Sequence, residues 1–161
     1  MNYHPVTTQI VDLLKSNGYW HETFEHEPVR TSEEAAKVRH GYLIEQGAKA
    51  LIVRAKTKEQ CEFIMLVMPA QLRLDTKKAK QYLQTKDLRF ATEEEVSQTT
   101  NGVQIGGVPP FGNLFNLKTI VDPKLFLNEK IVFNAGDRRY SVAMLSQDYK
   151  NIVNPEITDI V

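Results

Sequence analysis

Two adjacent glycines followed closely by two prolines, in Gly106-Gly107-Val108-Pro109-Pro110-Phe111-Gly112, form the stretch of this chain best suited to chemistry. Glycine lets the main chain approach a ligand closely and take φ > 0, while proline locks φ near about −65° and offers no N–H. A loop of this composition can hold amide groups rigidly toward an anion or a developing oxyanion. A plain turn after the apolar run Val103-Gln104-Ile105 explains the same residues. Lys49 is the second candidate. In a strand from Ala48 to Lys56 it shares a face with Leu51, Val53 and Ala55, and should project at the sheet's end into a partly enclosed mouth. Its charge could hold a phosphate or carboxylate there, although a lysine that snorkels into water fits the same position. Asn134-Ala135-Gly136 and Ser141 offer hydrogen-bonding groups at a sheet rim, where a hairpin turn accounts for Asn and Gly equally well. Lys77, Lys78 and Lys80 at a helix start read as a solvated face, although cations there oppose the helix dipole, which also fits an anionic partner.

Other chemistries lack their residues. His4, His21, His26 and His40 show neither i, i+4 pairing nor companion cysteines, so no metal and no other cofactor is expected. No Gly-x-Ser-x-Gly elbow, phosphate-binding Gly-x-x-x-x-Gly-Lys or dinucleotide-binding glycine pattern occurs. Cys61, beside Ile64, Met65 and Leu66, reads as a buried filler residue rather than a nucleophile.

The elements that must position these groups follow from periodicity and caps. Thr7 or Thr8 is expected to cap a helix bearing Ile10, Leu13 and Leu14, which Gly18 stops. Trp20 to Glu25 reads as a strand, and Thr31-Ser32-Glu33-Glu34 as a capping box opening a helix through Ala35, Ala36 and Val38. Ala48 to Lys56 and Cys61 to Pro69 form two strands around the turn Thr57-Lys58-Glu59-Gln60. Asp75 caps the basic helix, and Thr92-Glu93-Glu94-Glu95 is a second capping box. Leu117 to Val121, Lys130 to Asn134 and Tyr140 to Leu145 are further strands, and Ser146 is expected to cap a last helix with Tyr149, Ile152 and Val153. This irregular interleaving predicts an α+β class: a single domain over residues 1–161, with a mixed, partly antiparallel sheet flanked by helices.

Composition narrows the function. A chain of 161 residues with 42% hydrophobic and 25% charged residues suits one soluble globule. No apolar run approaches the roughly 20 residues of a membrane span, and Met1-Asn2-Tyr3-His4-Pro5 shows no secretory signal. Cys61 is the only cysteine, which excludes an internal disulfide and fits the cytoplasm. Lys plus Arg equal Asp plus Glu at 20 each, a poor basis for gripping a long polyanion but compatible with a local patch on one nucleic-acid end.

Taken in order, these pieces resemble the YbaK and prolyl-tRNA-synthetase-associated editing domain family, from about His26 to Ile152. The resemblance rests on His26-Glu27-Pro28-Val29-Arg30-Thr31 before the Glu-Glu-Ala-Ala helix, Gly47-Ala48-Lys49-Ala50-Leu51, a Gly-x-x-x-Pro motif at Gly106 to Pro110, Val121-Asp122-Pro123 and Phe133-Asn134-Ala135-Gly136. Gln46-Gly47-Ala48-Lys49-Ala50-Leu51 and Phe133-Asn134-Ala135-Gly136 are most similar to the free-standing YeaK-type branch. The resemblance implies a trans-editing hydrolase that cleaves the ester between a wrong amino acid and the terminal adenosine of a tRNA, with the acceptor end of aminoacyl-tRNA as partner, and an aminoacyl-tRNA synthetase as a possible second one.

It further implies that Lys49 is the family's functional lysine and that the Gly106 amide faces the scissile carbonyl. Gly107 would add a second amide, Pro109 and Pro110 would hold both, and Lys49 would hold the terminal phosphate or ribose side. His26, Thr31, Asn134, Gly136 and Ser141 fall around the aminoacyl pocket with the two prolines. Lys77, Lys78, Lys80, Arg138 and Arg139 are the candidate tRNA contacts. The YbaK branch carries Ser-Gly-Gly where this chain has Asn134-Ala135-Gly136, and Ser141 stands where some members are acidic. The edited residue is therefore expected to be small or hydroxylated, such as Ala, Ser or Thr. The alternatives are a non-catalytic aminoacyl- or nucleotide-binding module tied to a synthetase, and hydrolysis of an unrelated small ester or amide.

Overall fold

In chain order the elements are α1 (Pro5–Ser16), β1 (His21–Glu25), α2 (Ser32–Val38), β2 (Ala48–Lys56), β3 (Cys61–Pro69), α3 (Thr76–Leu83), β4 (Asp87–Phe90), α4 (Glu93–Thr99), β5 (Lys118–Val121), β6 (Lys130–Asp137), β7 (Tyr140–Leu145), α5 (Ser146–Val153) and β8 (Glu156–Ile157). Short 3-10 turns cover Ile44–Gln46, Gly112–Phe115 and Pro123–Leu127. This computed structural model describes residues 2–161; Met1 lies outside it.

The expected α+β class is the one the chain adopts, but its strands divide between two sheets. One is mixed, in the order β4-β2-β3-β5-β8; the other is antiparallel, in the order β1-β7-β6. An isolated parallel bridge from Gly47 to Val132 joins them at the start of β2. The β2–β3 hairpin runs in register from Ala48–Pro69 to Lys56–Cys61. β3 lies between β2 and β5, covered on both faces, so Ile64 to Met68 are fully buried and the strand needs no polar alternation. One core contains Ile10, Leu14, Phe111, Phe133 and Tyr149; a second, under α3, contains Val53, Ile64, Leu66 and Ala79.

β4 pairs only with the second half of β2, from Val53 to Lys56. Beyond Ala91, whose amide donates to Ile52 O, the chain turns into α4. The reciprocal capping box of Thr92 and Glu95 makes that turn, and the bidentate pair of Glu95 with Arg89 ties it back to the strand. The first half of β2, with Lys49, therefore keeps a sheet edge not covered by β4.

Several local expectations change. Helix α1 starts at Pro5, not after Thr7 or Thr8: proline at the first helical position needs no N–H partner, and His4 Nδ1 accepts the Val6 amide. Thr7 lies inside the helix and donates its hydroxyl to Ala135 O at 2.6 Å, docking α1 on β6. Thr31 caps α2, but Glu34 reaches the Arg30 amide rather than closing a reciprocal box. Ser146 is the first helical residue of α5, behind a Leu145 cap, and its hydroxyl donates to Asn128 O. Cys61 is exposed rather than buried, because its register opposite Lys56 puts it beside the solvent-facing turn of the hairpin. No strand forms over Val103-Gln104-Ile105, and β4 and β8 were not expected.

Candidate active site

The open edge of β2, the start of α2 and the glycine–proline loop enclose a cavity of about 220 Å³. Lys49, Ala50 and Leu51 line it from β2, Arg30, Thr31, Ser32 and Ala35 from the α2 end, Ile105, Gly106 and Val108 from the loop, and Asn134 from β6. Arg39, one residue past α2, completes the wall. Lys49 thus lies on the wall of this cavity.

The loop's carbonyls are tied to the β6–β7 hairpin and to α5. Asn134 Nδ2 donates to Gly106 O at 2.7 Å and Arg138 Nε to Ile105 O at 2.7 Å. The Gly136 amide donates to Gly107 O at 2.8 Å, and Tyr149 Oη to Pro110 O at 2.6 Å. Gly106 has φ +90°, a conformation that side chains resist. The Gly107 amide is spent, donating to Gln104 O at 2.9 Å, and Gly107 does not line the cavity. It cannot be the second oxyanion donor that the doublet suggested. Among the described residues, the amides of Gly106 and Val108 have no acceptor, and both residues face the cavity. Val108 is thus a candidate that sequence reasoning missed. Pro109 and Pro110 are buried behind the loop and support it without lining the cavity.

Lys49 Nζ donates to Leu72 O at 2.6 Å. Partial burial and then the neighbouring Arg73 hold its ammonium below the usual lysine range, against a smaller opposing pull from Glu33. Arg39 is the other cation. It is only 6% exposed, and burial alone lowers its guanidinium to about 10. Among the described residues no carboxylate pairs with it. Its Nε donates to Ser141 Oγ at 2.9 Å and its Nη2 to Asn134 Oδ1 at 2.9 Å. An unpaired buried cation is costly, so one retained on a cavity wall marks a place for an oxygen-bearing ligand. Nothing in the sequence separated Arg39 from its neighbours Lys37 and His40.

Ser141 is fully buried under the wall, where His26 Nε2 lies 2.8 Å from its hydroxyl. His26 Nδ1 faces the carbonyl of Glu27, which can only accept, so that nitrogen carries a proton. Neutral His26 then accepts the Ser141 hydroxyl at Nε2, whereas the imidazolium would turn that hydroxyl to Asn134 Oδ1, 3.1 Å away. His26 and Ser141 thus brace Arg39 and Asn134 from behind, and neither lines the cavity.

The remaining candidates fall elsewhere. Gly136, Arg138 and Arg139 line a second groove of about 550 Å³, which meets the cavity at Arg30. Lys77, Lys78 and Lys80 line neither, and Lys78 is engaged by Asp159 and the Val161 carbonyl. Among the described residues, no Asp, Glu, His or Cys lines the first cavity. Its walls can stabilise negative charge through Lys49, Arg39 and two amides, but they hold no carboxylate or imidazole to take a proton.

The profile of the aminoacyl-tRNA editing domain matches residues 26–152. The chain is 30% identical over 152 residues to the multifunctional Ser/Thr-tRNA deacylase ProXp-y of Escherichia coli K12, covering 94% of this chain and 90% of that protein. The same identity and coverage hold for the protein of that name in Escherichia coli O157:H7. Among solved structures, a candidate trans-editing enzyme for prolyl tRNA synthetase superposes with a TM-score of 0.81 at 24% identity, covering 99% of this chain and 98% of the other. A hypothetical protein, APE2540, gives 0.81 at 23% identity, with 94% and 98% covered. These two likenesses concern the fold.

Proposed function

This chain belongs to the aminoacyl-tRNA editing domain family, and we propose that it acts as a free-standing deacylase that removes serine or threonine from mischarged tRNA. One observation carries the reading: a cavity that pairs Lys49 with the acceptor-free amides of Gly106 and Val108 and has, among the described residues, no carboxylate, imidazole or thiol on its walls. An aminoacyl ester is already activated, so water can attack it without a protein nucleophile. Attack makes a tetrahedral oxyanion, which the two amides stabilise; one such donor is worth about 10²–10³ in rate. Collapse breaks the acyl–oxygen bond and returns the ribose hydroxyl and the free amino acid. A neighbouring ribose hydroxyl orients the water, and Lys49 holds the phosphate side of the terminal nucleotide.

Selectivity for a hydroxylated residue is assigned to Asn134 and Arg39, two hydrogen-bonded polar groups of the cavity wall. Unmet buried donors reject a substrate that lacks the matching oxygen more strongly than a pocket rejects an extra methylene. Arg30, Arg138 and Arg139 are assigned to the acceptor-end phosphates. The reading puts the enzyme in the cytoplasm, with charged tRNA; among the described residues no helix is long and apolar enough to cross a membrane. A synthetase partner belongs to the same proposal and is tested by adding prolyl-tRNA synthetase to the assay.

The decisive experiment incubates the purified protein with Ser-, Thr-, Ala- and Pro-tRNA and follows free amino acid. Multiple turnovers on Ser- and Thr-tRNA, with Pro-tRNA spared, are expected. Tight binding without release would instead identify a non-catalytic module.

A further inference from the structure

The cavity of about 220 Å³ is smaller than the roughly 300–1,000 Å³ of pockets that enclose a drug-sized ligand. It suits an aminoacyl group and the ester, and leaves the nucleoside base of the substrate outside. Two openings adjoin it. The larger groove carries Arg30, Arg138, Arg139 and Asp137. The other, about 150 Å³, shares Ala50, Leu51, Ile105, Gly106 and Val108 with the cavity and adds Ile52, Phe90, Ala91 and Val96. Among the described residues, no charged or hydrogen-bonding side chain lines it.

Phe90, 55% exposed, and Ile105, 41% exposed, both line this small groove. Phe90 ends β4 at the point where sheet coverage of β2 stops, so the groove opens directly onto the uncovered edge. A substrate with a flat apolar base on one side of its ribose and an anionic phosphate on the other matches the two openings by chemistry. We propose that the groove between Phe90 and Ile105 is a subsite for the terminal adenine, which stacks on the Phe90 ring while the phosphate leaves over Arg30. This rests on the deacylase reading for the substrate's identity. It adds the direction in which the substrate lies and names Phe90 as a binding residue.

The test measures binding, so that it stands apart from turnover. The ligand is the stable 3′-seryl amide of 3′-amino-3′-deoxyadenosine, compared by calorimetry with the same seryl aminoribose lacking its base. The wild-type protein is expected to prefer the adenine compound. Phe90→Ala should weaken that compound by about 5- to 150-fold, the cost of removing one stacked base. The baseless compound should bind both proteins equally, and Phe90→Trp should restore the preference. Equal binding of the two compounds by wild type, or a preference that survives Phe90→Ala, overturns the subsite. A wild-type dimer that Phe90→Ala splits, seen by sedimentation, gives the groove to a second copy and also overturns it. Failure of wild type to release serine from Ser-tRNA would sink the hydrolase reading while leaving this binding result to stand or fall by itself.

Discussion

Replacing Lys49 by methionine keeps the length and apolar stem of the side chain and removes only the ammonium. Two effects on stability then oppose each other. Burial and Arg73 hold the folded-state pKa below its ordinary value. The unfolded chain therefore binds this proton more tightly, and the fold bears the full cost below the folded pKa. The cost fades only as pH rises through that value toward the unfolded one, near about 10.4. At pH 7 methionine removes the cost, but it also loses the 2.6 Å bond from a charged donor to Leu72 O, worth about 1.5–3 kcal/mol, so that the two largely offset each other to within about 1 kcal/mol. The sum should shift Tm by no more than about 4 °C, since 1 kcal/mol moves a domain of this size by about 2–4 °C. Activity has no such compensation. A charge-assisted bond to the phosphate is worth about 1.5–3 kcal/mol, so kcat/KM on Ser-tRNA should fall by about 10- to 150-fold. Deacylation kinetics and calorimetric melting on one preparation measure both. Activity within about threefold of wild type would refute Lys49's role. So would a Tm that collapses in step with activity.

Other perturbations probe the supporting parts. Asn134→Ala removes the donor to Gly106 O and should lower kcat about tenfold with little change in KM, read from steady-state kinetics. Gly136→Ala forces a β-carbon to within 2.5 Å of Val6 Cγ1 at φ +99°, so Tm should fall by about 5–15 °C in calorimetry. The bidentate bond to Arg89 and then the Thr92 amide pull the Glu95 carboxyl from 4.5 to about 2. Its stabilisation is complete above the unfolded value and is lost as pH falls from there through the folded one. The Tm gap between wild type and Glu95→Gln should therefore be full at pH 7 and close between about pH 4.5 and 2. Arg30→Gln should flatten the slope of log kcat/KM against log salt by about 0.7–0.9 if Arg30 meets one phosphate.

Lys49 was legible because a cation at the start of an apolar strand has few places to go. The glycine doublet was legible as a main-chain site, but its division of labour was not. Which amide is spent depends on the turn from Gln104 to Gly107, leaving Val108 rather than Gly107 without an acceptor. Arg39 was invisible because its burial arises from distant partners, Asn134 and Ser141, that only the fold brings together. β4 escaped notice because Asp87-Leu88-Arg89-Phe90 is short and half charged, as an edge strand tends to be. The basic run Lys77, Lys78 and Lys80 was plain in the sequence, but not the direction of its helix, which points Lys78 at the C-terminal segment. Proline at position 5 outweighed the threonines as a helix start, since its missing N–H costs nothing there.

The mouth of this protein is, in effect, a zipper stopped halfway. Had the strand ending at Phe90 run on for four more residues in the same register, its backbone would have sewn up β2 from Ile52 back to Lys49 and left nowhere for an ester to enter. The stop is set by Thr92 and Glu95, surface residues that touch no substrate. Editing on this scaffold would then depend on where a helix begins as much as on any group inside the pocket.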